Sequence, residues 1–279
     1  MYRDFLVGDA MRFQKYGVRI LIRAERKSDL KKCYEALMKN FPHGLEFSEE
    51  TAVAHSFVIK SDAAGTPEFY LNAQMLFKNA DREFFFEMAS SRIRLTIAEF
   101  AVRKVFLHAG TVGWKGRAII IPATSFSGKT TLVAELVKKG AVYYSDEYAV
   151  LDEDGNVEPF PKWLSMRGII NDWEQLDRPV ESIGGVAGET ALPVALILIS
   201  KYKKGRKNAS KMKPRKLTPG QGIMELLPHT LPIRNNPRFV LDVLNKLINR
   251  AIIVRTLRGE AADFAGSLLD YFELHITNH

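Results

Sequence analysis

The sequence predicts an α/β protein in which flanking helices cover a mixed β-sheet core, preceded by a smaller α+β region. Two observations lead to this prediction. From Phe106 onward, short apolar segments alternate with segments of helical periodicity, and a Ser/Thr-rich loop joins one apolar strand to a helix. The first hundred residues also mix strand-like and helical patterns, but they lack such a loop. We therefore predict two regions, 1–104 and 105–279.

In the N-terminal region, four segments are predicted as strands from their alternating or turn-bounded apolar pattern: 18–24, 52–60, 68–72 and 82–86. Two segments have helical spacing: 29–41 and 90–105. No residue pattern here indicates chemistry, so the role of this region stays open.

In the C-terminal region, six segments are predicted as strands: 118–122, 141–144, 148–151, 157–160, 193–200 and 252–257. Three segments are predicted as helices: 129–139, 238–251 and 261–272. A strand, a loop, a helix and a second strand ending in acidic residues follow one another between 118 and 147. This order is the main functional signal in the sequence.

Composition limits the class of protein. The chain of 279 residues is 46 % hydrophobic and 26 % charged, which is typical of a globular protein and excludes wholesale disorder. Cys33 is the single cysteine, so a disulfide within the chain and a cysteine-based metal site are excluded. The N-terminus lacks the pattern of a signal peptide, and the longest apolar run, 191–199, is too short to span a bilayer. We expect a soluble, cytoplasmic protein without a membrane partner.

The positive charge is concentrated in one segment. The chain has 40 Lys and Arg against 32 Asp and Glu, a net charge of +8, and nine of the cations lie in 201–216 without an acid. Such a run predicts an exposed loop, because its like charges repel one another. It is either a solubilising loop or an electropositive flap that approaches nucleotide phosphates or an acidic partner. Nucleic acid is the less favoured partner, because Tyr202 is the only aromatic residue in the segment.

The loop 123–130 matches the phosphate-loop (P-loop) pattern GxxxxGK[ST] except at its first position, where Ala123 replaces glycine. In this pattern backbone N–H groups surround phosphate oxygens, the lysine reaches the β- and γ-phosphates, and the Ser or Thr hydroxyl binds Mg²⁺. The pattern predicts ATP and Mg²⁺ as cofactors. The candidate nucleotide-binding residues are Ala123, Thr124, Ser125, Phe126, Ser127, Gly128, Lys129, Thr130 and Thr131.

Asp146 and Glu147 follow the strand that should lie beside the phosphate loop. Together with Thr130 they are the candidate metal ligands, and Asp146 is also a candidate proton acceptor for an attacking hydroxyl. The alternative interpretation is a solvated turn, because Asp and Glu are mostly exposed in proteins.

These motifs occur in a fixed order: His108, the loop 123–130, Asp146-Glu147 and Met166-Arg167-Gly168. Over 106–171 the sequence resembles the catalytic core of the HPr kinase/phosphorylase family. The resemblance implies the P-loop fold that this family shares with PEP carboxykinases, and ATP-dependent phosphorylation of serine in a peptide or protein. It also implies that Lys129 holds phosphates, Thr130 binds Mg²⁺, Asp146 accepts the proton and His108 lies beside the transferring phosphoryl group. The candidate catalytic residues are therefore His108, Lys129 and Asp146.

Several alternatives stay open from the sequence. Arg167 and Arg238 are candidates for phosphate or substrate contact, with an ordinary surface role as the alternative. Ala123, and Ser165 where the family pattern has an acidic residue, favour a second hypothesis, a nucleotide-binding module without phosphotransfer. A third hypothesis is a kinase for free serine or another small metabolite. The acceptor and any homo-oligomer are not specified.

Overall fold

The computed structural model describes residues 10–41, 44–48, 52–124, 127–167, 175–207 and 212–276, with only the backbone at 167 and 175. The chain divides into two compact units, Met1–Arg103 and Lys104–His279. Both units are mixed α/β structures, and each is described by itself below. No helix in the described part of the chain is long and apolar enough to cross a membrane.

The N-terminal unit contains a mixed six-stranded sheet in the order β3-β1-β2-β4-β5-β6. The strands are β1 (Ala10–Lys15), β2 (Val18–Ala24), β3 (Glu46–Phe47), β4 (His55–Ser61), β5 (Pro67–Leu71) and β6 (Gln74–Lys78). The β2–β4 pair is parallel, and the other neighbours are antiparallel. A phenylalanine-rich core with aromatic rings in mutual contact lies beneath the sheet: Phe13, Phe57, Phe69 and Phe85 are fully buried.

Two helices, α1 (Lys27–Asn40) and α2 (Arg82–Phe100), pack in this unit. The prediction of a strand over 82–86 is wrong, because these residues form the first turns of α2. The side chain of Asp81 caps the helix by accepting hydrogen bonds from the backbone N–H groups of Glu83 and Phe84. The apolar run that suggested a strand buries Phe85 and Phe86 from one face of the helix.

The C-terminal unit is built on an eight-stranded sheet in the order β11-β10-β7-β8-β14-β16-β15, with β9 paired to β7. Its strands are β7 (Val105–Trp114), β8 (Arg117–Pro122), β9 (Val142–Ser145), β10 (Tyr148–Leu151), β11 (Asn156–Glu158), β14 (Leu192–Tyr202), β15 (Arg215–Lys216) and β16 (Ile252–Arg258). A separate hairpin joins β12 (Leu164–Arg167) and β13 (Gln175–Arg178).

Helices cover the sheet of this unit: α3 (Lys129–Lys138), α4 (Pro219–Leu226), α5 (Pro237–Arg250) and α6 (Ala261–Ile276). Side chains of α3 and α6 form one apolar core with the sheet, and side chains of α4 and α5 form a second one. Successive residues of the central strands alternate between these cores, as Ile119 and Ile120 do, so the sheet is buried on both faces.

The centre of this sheet is parallel, because β14 pairs in parallel with both β8 and β16. The carboxyl ends of these three strands therefore lie at one edge, where ligands of open α/β sheets commonly bind. The segment 123–128 leaves β8 at this edge and leads into α3. The candidate site is assembled around it.

Candidate functional site

The loop 123–128 follows strand β8 and ends at Gly128, the residue before α3. Gly128 has φ +76°, a conformation that glycine adopts without strain. Ala123 is buried and has no positive φ, so an alanine is compatible with its backbone. Thr124 and Thr131 are exposed, whereas Ser125 and Phe126 lie outside the described residues.

Lys129 is the first residue of α3, and its side chain is buried with 7 % exposure. Among the described residues, its Nζ atom has no hydrogen-bond partner. Burial lowers the pKa of Lys129 from 10.5 to about 8, and the charges of Asp146 and Glu147 partly oppose this shift. A buried ammonium without a hydrogen-bond partner is unfavourable, and the described residues place no acceptor within hydrogen-bond distance of this one.

Gly110 of β7 makes room for the Lys129 side chain. A Cβ atom at Gly110 would lie 2.6 Å from Val133 Cγ2 and 3.1 Å from Lys129 Cγ. Helix α3 therefore rests on the strand at a position where only a glycine fits, and the aliphatic part of the lysine runs across it. The glycine of the His108-Ala109-Gly110 sequence thus has a packing role that the motif analysis did not assign.

Asp146 follows β9, is 3 % exposed and accepts four polar contacts. Its Oδ2 atom lies 3.0 Å from the donating Thr130 hydroxyl and 3.2 Å from the Ser165 backbone N. Its Oδ1 atom lies 3.0 Å from the Tyr143 hydroxyl and 3.1 Å from Lys162 Nζ. Burial raises the pKa of Asp146, but the Lys162 charge and the hydrogen bonds outweigh it and hold the pKa below 3.8.

The sequence analysis missed Lys162, which has 5 % exposure and lies in the segment between β11 and β12. Besides its ion pair with Asp146, its Nζ atom donates to Ser165 Oγ at 2.8 Å and to the Trp163 carbonyl at 2.9 Å. Glu147 Oε2 lies 4.0 Å away. No motif marks this lysine, because its importance comes from a contact with a residue 16 positions earlier.

The Glu147 carboxylate adds negative charge near Lys129 and Lys162, while the Glu147 backbone fixes the turn after β9. Its N–H donates to Ser145 Oγ at 3.1 Å, and its carbonyl accepts from the Ala109 N–H at 3.0 Å. The turn after β9 is thereby tied to β7. Both carboxylates raise the pKa of Lys129, so Asp146 and Glu147 each lie within electrostatic reach of its ammonium.

Two histidines lie beside the lysine. An antiparallel bridge between Leu107 and Thr230 sets His108 opposite His229, the last residue of a short 3-10 helix. Burial, followed by the Lys129 charge, lowers the pKa of both rings, to about 4 for His108. His108 is therefore neutral at pH 7. His229 was not predicted, and no motif in the sequence distinguishes it.

Arg258, the last residue of β16, is 3 % exposed and contacts the loop 123–128. Its Nη2 atom donates to the carbonyls of Ser127 and Gly128, each at 3.0 Å. A Cβ atom at Gly128 would lie 2.7 Å from this nitrogen, so a larger residue there would have to shift the guanidinium as well as adopt an unfavourable φ. The sequence analysis missed Arg258 because the bonded residues are about 130 positions apart.

The two candidate arginines differ in what the structure describes. Arg238 is exposed in the first turn of α5 and, within the described part of the chain, forms no hydrogen bond or ion pair with the loop. The backbone of Arg167 pairs with Gln175 in the β12–β13 hairpin. The Arg167 side chain and Gly168 lie outside the described residues.

The residues that could hold a cation are Thr130, Asp146 and Glu147. Among the described residues, no group of three or more His, Cys, Asp or Glu side chains could hold a metal ion. The Thr130 hydroxyl gives its hydrogen to Asp146, which leaves its oxygen lone pairs for another partner. A site here would need oxygen ligands from a bound phosphate or from water as well.

The comparison with known proteins assigns neither a family nor a function to this chain. No model of a protein family matches this chain, and no curated protein sequence matches it.

We expect Gly110→Ala to lower the free energy of unfolding by about 1–3 kcal/mol, because the added methyl group collides with Val133 and Lys129. Urea unfolding followed by tryptophan fluorescence measures this, since all three tryptophans lie within 104–279. Gly220→Ala in α4 is the control, because a Cβ there meets nothing within 4 Å. Equal effects of the two substitutions would contradict the packing role of Gly110.

We expect Lys129→Met to stabilise the C-terminal unit by an amount on the order of 3 kcal/mol at pH 7. The folded state lowers the lysine pKa from 10.5 to about 8, so the unfolded chain binds this proton more tightly. The loss of folding stability caused by the buried ammonium is therefore complete below pH 8, and it disappears as the pH rises to 10.5. Urea unfolding of wild type and variant at pH 7 and pH 10 tests this, with the exposed Lys139→Met as the control. A destabilised Lys129→Met protein would refute it.

We expect Lys162→Met to lower the free energy of unfolding by about 3–5 kcal/mol, because it leaves the buried Asp146 carboxylate without its cation. Adding Asp146→Asn should recover part of this loss, since the remaining amide carries no charge. A double-mutant cycle by urea unfolding gives the coupling energy. Additive effects of the two substitutions would show that the ion pair does not stabilise the fold.

Proposed function

We propose that the unit 104–279 binds ATP with Mg²⁺ through a P-loop and transfers the γ-phosphoryl group to a hydroxyl, that of serine in a peptide or protein. This is the activity implied by the resemblance to HPr kinase/phosphorylase. The buried ammonium of Lys129 is the single observation that carries the proposal. It has no hydrogen-bond partner among the described residues, and it begins the helix that follows the loop.

Three features of this helix terminus support a phosphate ligand. The first N–H groups of a helix have no partners within it, and the helix dipole adds positive charge there. Lys129 adds a full positive charge at the same terminus. The Arg258 guanidinium donates to the carbonyls of Ser127 and Gly128, so both oxygens already face a cation and would repel a bound anion less. Such an arrangement favours the terminal phosphates of a nucleotide.

The oxygen donors of the site fit Mg²⁺. This ion prefers oxygen ligands, keeps several waters and is held with substrate phosphates by one or two carboxylates. Thr130 would bind it through its hydroxyl oxygen, and Asp146 and Glu147 would hold it directly or through water. When bound, Mg²⁺ neutralises charge on the transferred phosphoryl group.

In the proposed transfer, the acceptor oxygen forms a bond to the γ-phosphorus as the bond to the β–γ bridging oxygen breaks, and ADP leaves. The hydroxyl proton passes to Asp146 and then to water. Asp146 is ionised at neutral pH, as a proton acceptor must be, because its pKa lies below 3.8. The neutral His108 would line the transfer site together with His229, and burial and the Lys129 charge lower the pKa of both rings.

One observation favours a second candidate function, nucleotide binding without phosphotransfer. Both oxygens of Asp146 already accept from donors of the protein: Thr130, Ser165, Tyr143 and Lys162. To take a proton, Asp146 must first release one of these donors. If none is released, the carboxylate serves to fix Thr130 and the turn, and the site binds ATP only.

We expect Lys129→Met to weaken the binding of a fluorescent ATP analogue with Mg²⁺ by about a hundredfold, because charge-assisted bonds to phosphate are lost. The exposed Lys139→Met, at the other end of the same helix, should bind within about twofold of wild type. A titration followed by fluorescence measures both. Wild-type affinity of Lys129→Met for the nucleotide would refute the proposal.

Phosphotransfer is tested with radiolabelled ATP and a pool of serine-containing peptides. We expect wild type to label the peptides, and Asp146→Asn to lower the rate by about 10²–10⁴-fold. Nucleotide titration of the variant, measured alongside, separates a loss of transfer from a loss of the assembled site. Tight ATP binding by wild type without labelled peptide would instead support the second candidate function.

A further inference from the structure

The exposed cations of 201–216, which we call the basic edge, lie at the end of β14 and on β15, the two neighbours of β16. Its described members are Lys201, Lys203, Lys204, Arg206, Lys207, Lys213, Arg215 and Lys216. All are exposed. None of them takes part in the ion pairs formed between described residues. The remaining sequence has 31 basic against 32 acidic residues, since the segment holds nine of the 40 cations. The chain thus gathers its excess positive charge at one place and leaves it available.

The topology sets the basic edge next to the phosphate loop. Strand β14 ends at Tyr202, which lies opposite Arg258 in the parallel pairing with β16. The backbone N–H of Lys203 donates to the Arg258 carbonyl at 2.9 Å. The guanidinium of the same arginine donates to the carbonyls of Ser127 and Gly128. Arg258 therefore contacts both Lys203 of the basic edge and the loop. A molecule bound to the basic edge lies beside the candidate site.

The side chains of the basic edge favour an acidic polypeptide over a nucleic acid. Nucleic-acid surfaces commonly combine cations with aromatic rings on which bases stack. Tyr202 is the only aromatic residue of the segment, its ring faces the Arg258 guanidinium at 5.4 Å, and its hydroxyl donates to Glu260 at 2.6 Å. Seven of the nine cations are lysines, which act as flexible point charges suited to separate carboxylates.

We infer that the basic edge is the docking surface for an acidic segment of the polypeptide that accepts the phosphoryl group. The inference rests on the proposed function for the identity of the bound molecule as an acceptor. The binding itself needs only the surface charge and its position. Glu and Asp side chains near the acceptor serine would pair with the lysines and hold the serine hydroxyl near the loop. Each exposed pair is weak, so several must act together.

The binding test uses the full chain and two labelled peptides of equal length, each with one serine, one rich in Glu and the other with Gln in its place. We expect fluorescence anisotropy to show at least about tenfold tighter binding of the Glu peptide, with an affinity that falls as salt rises. The variant K203E/K204E/K207E should weaken this binding by at least about tenfold.

The matched control is R23E/R26E/K32E, which reverses three exposed cations of the N-terminal unit and changes the net charge equally. It should leave peptide affinity within about twofold of wild type, because the effect depends on position as well as on net charge. Equal weakening by both triple variants would overturn the inference. So would tighter binding of a single-stranded oligonucleotide than of the Glu peptide, if K203E/K204E/K207E abolishes it.

ATP affinity and peptide phosphorylation separate this inference from the proposed function. K203E/K204E/K207E should bind ATP normally and raise KM for the Glu peptide with little change in kcat, since docking energy is shared by ground and transition states. An unchanged KM in this variant would refute the docking surface and leave the kinase proposal intact. Docking of the Glu peptide without ATP binding by wild type would refute the proposed function and leave the docking surface intact.

Discussion

The buried carboxylate of Asp146 is the interaction on which the site depends. It accepts the Thr130 hydroxyl from α3, the Ser165 N–H from β12 and the ammonium of Lys162. These groups come from two separate stretches of chain, α3 and 162–165, so one charged residue fixes both against the turn after β9. A buried charge is tolerated only when an opposite charge and hydrogen-bond donors surround it. The removal of any one of these partners should therefore destabilise the cluster.

The two lysines of the same cluster differ in their partners. Lys162 neutralises Asp146, whereas Lys129 lies nearby without a hydrogen-bond partner in the described part of the chain. We therefore expect Lys162 to stabilise the fold and Lys129 to lower its stability. Under the proposed function, a phosphate ligand bound to Lys129 would return the free energy that burial of its ammonium costs.

Local signals in the sequence were sufficient for most elements, but not for their ends, for 82–86, or for β1, β6 and α4, where no element was predicted. The strand over 148–151 and the start of the helix at 129 agree with the structure, since an apolar run and a glycine mark them clearly. At 82–86 three consecutive phenylalanines suggested a strand, and the Asp81 cap that begins α2 was overlooked. Capping is a local interaction, so this error was avoidable from the sequence.

The candidate site was predictable only where its residues belong to a contiguous motif. The loop and the acidic pair were found, but Lys162, His229 and Arg258 reach the site through tertiary contacts that no spacing encodes. Arg258 is the clearest example: it ends an ordinary strand, yet the parallel register of β14 and β16 carries it to the loop. The same register places Tyr202, at the start of the basic edge, opposite Arg258. The position of the basic edge is therefore a consequence of sheet topology. From composition alone, the role of this charged segment stayed open.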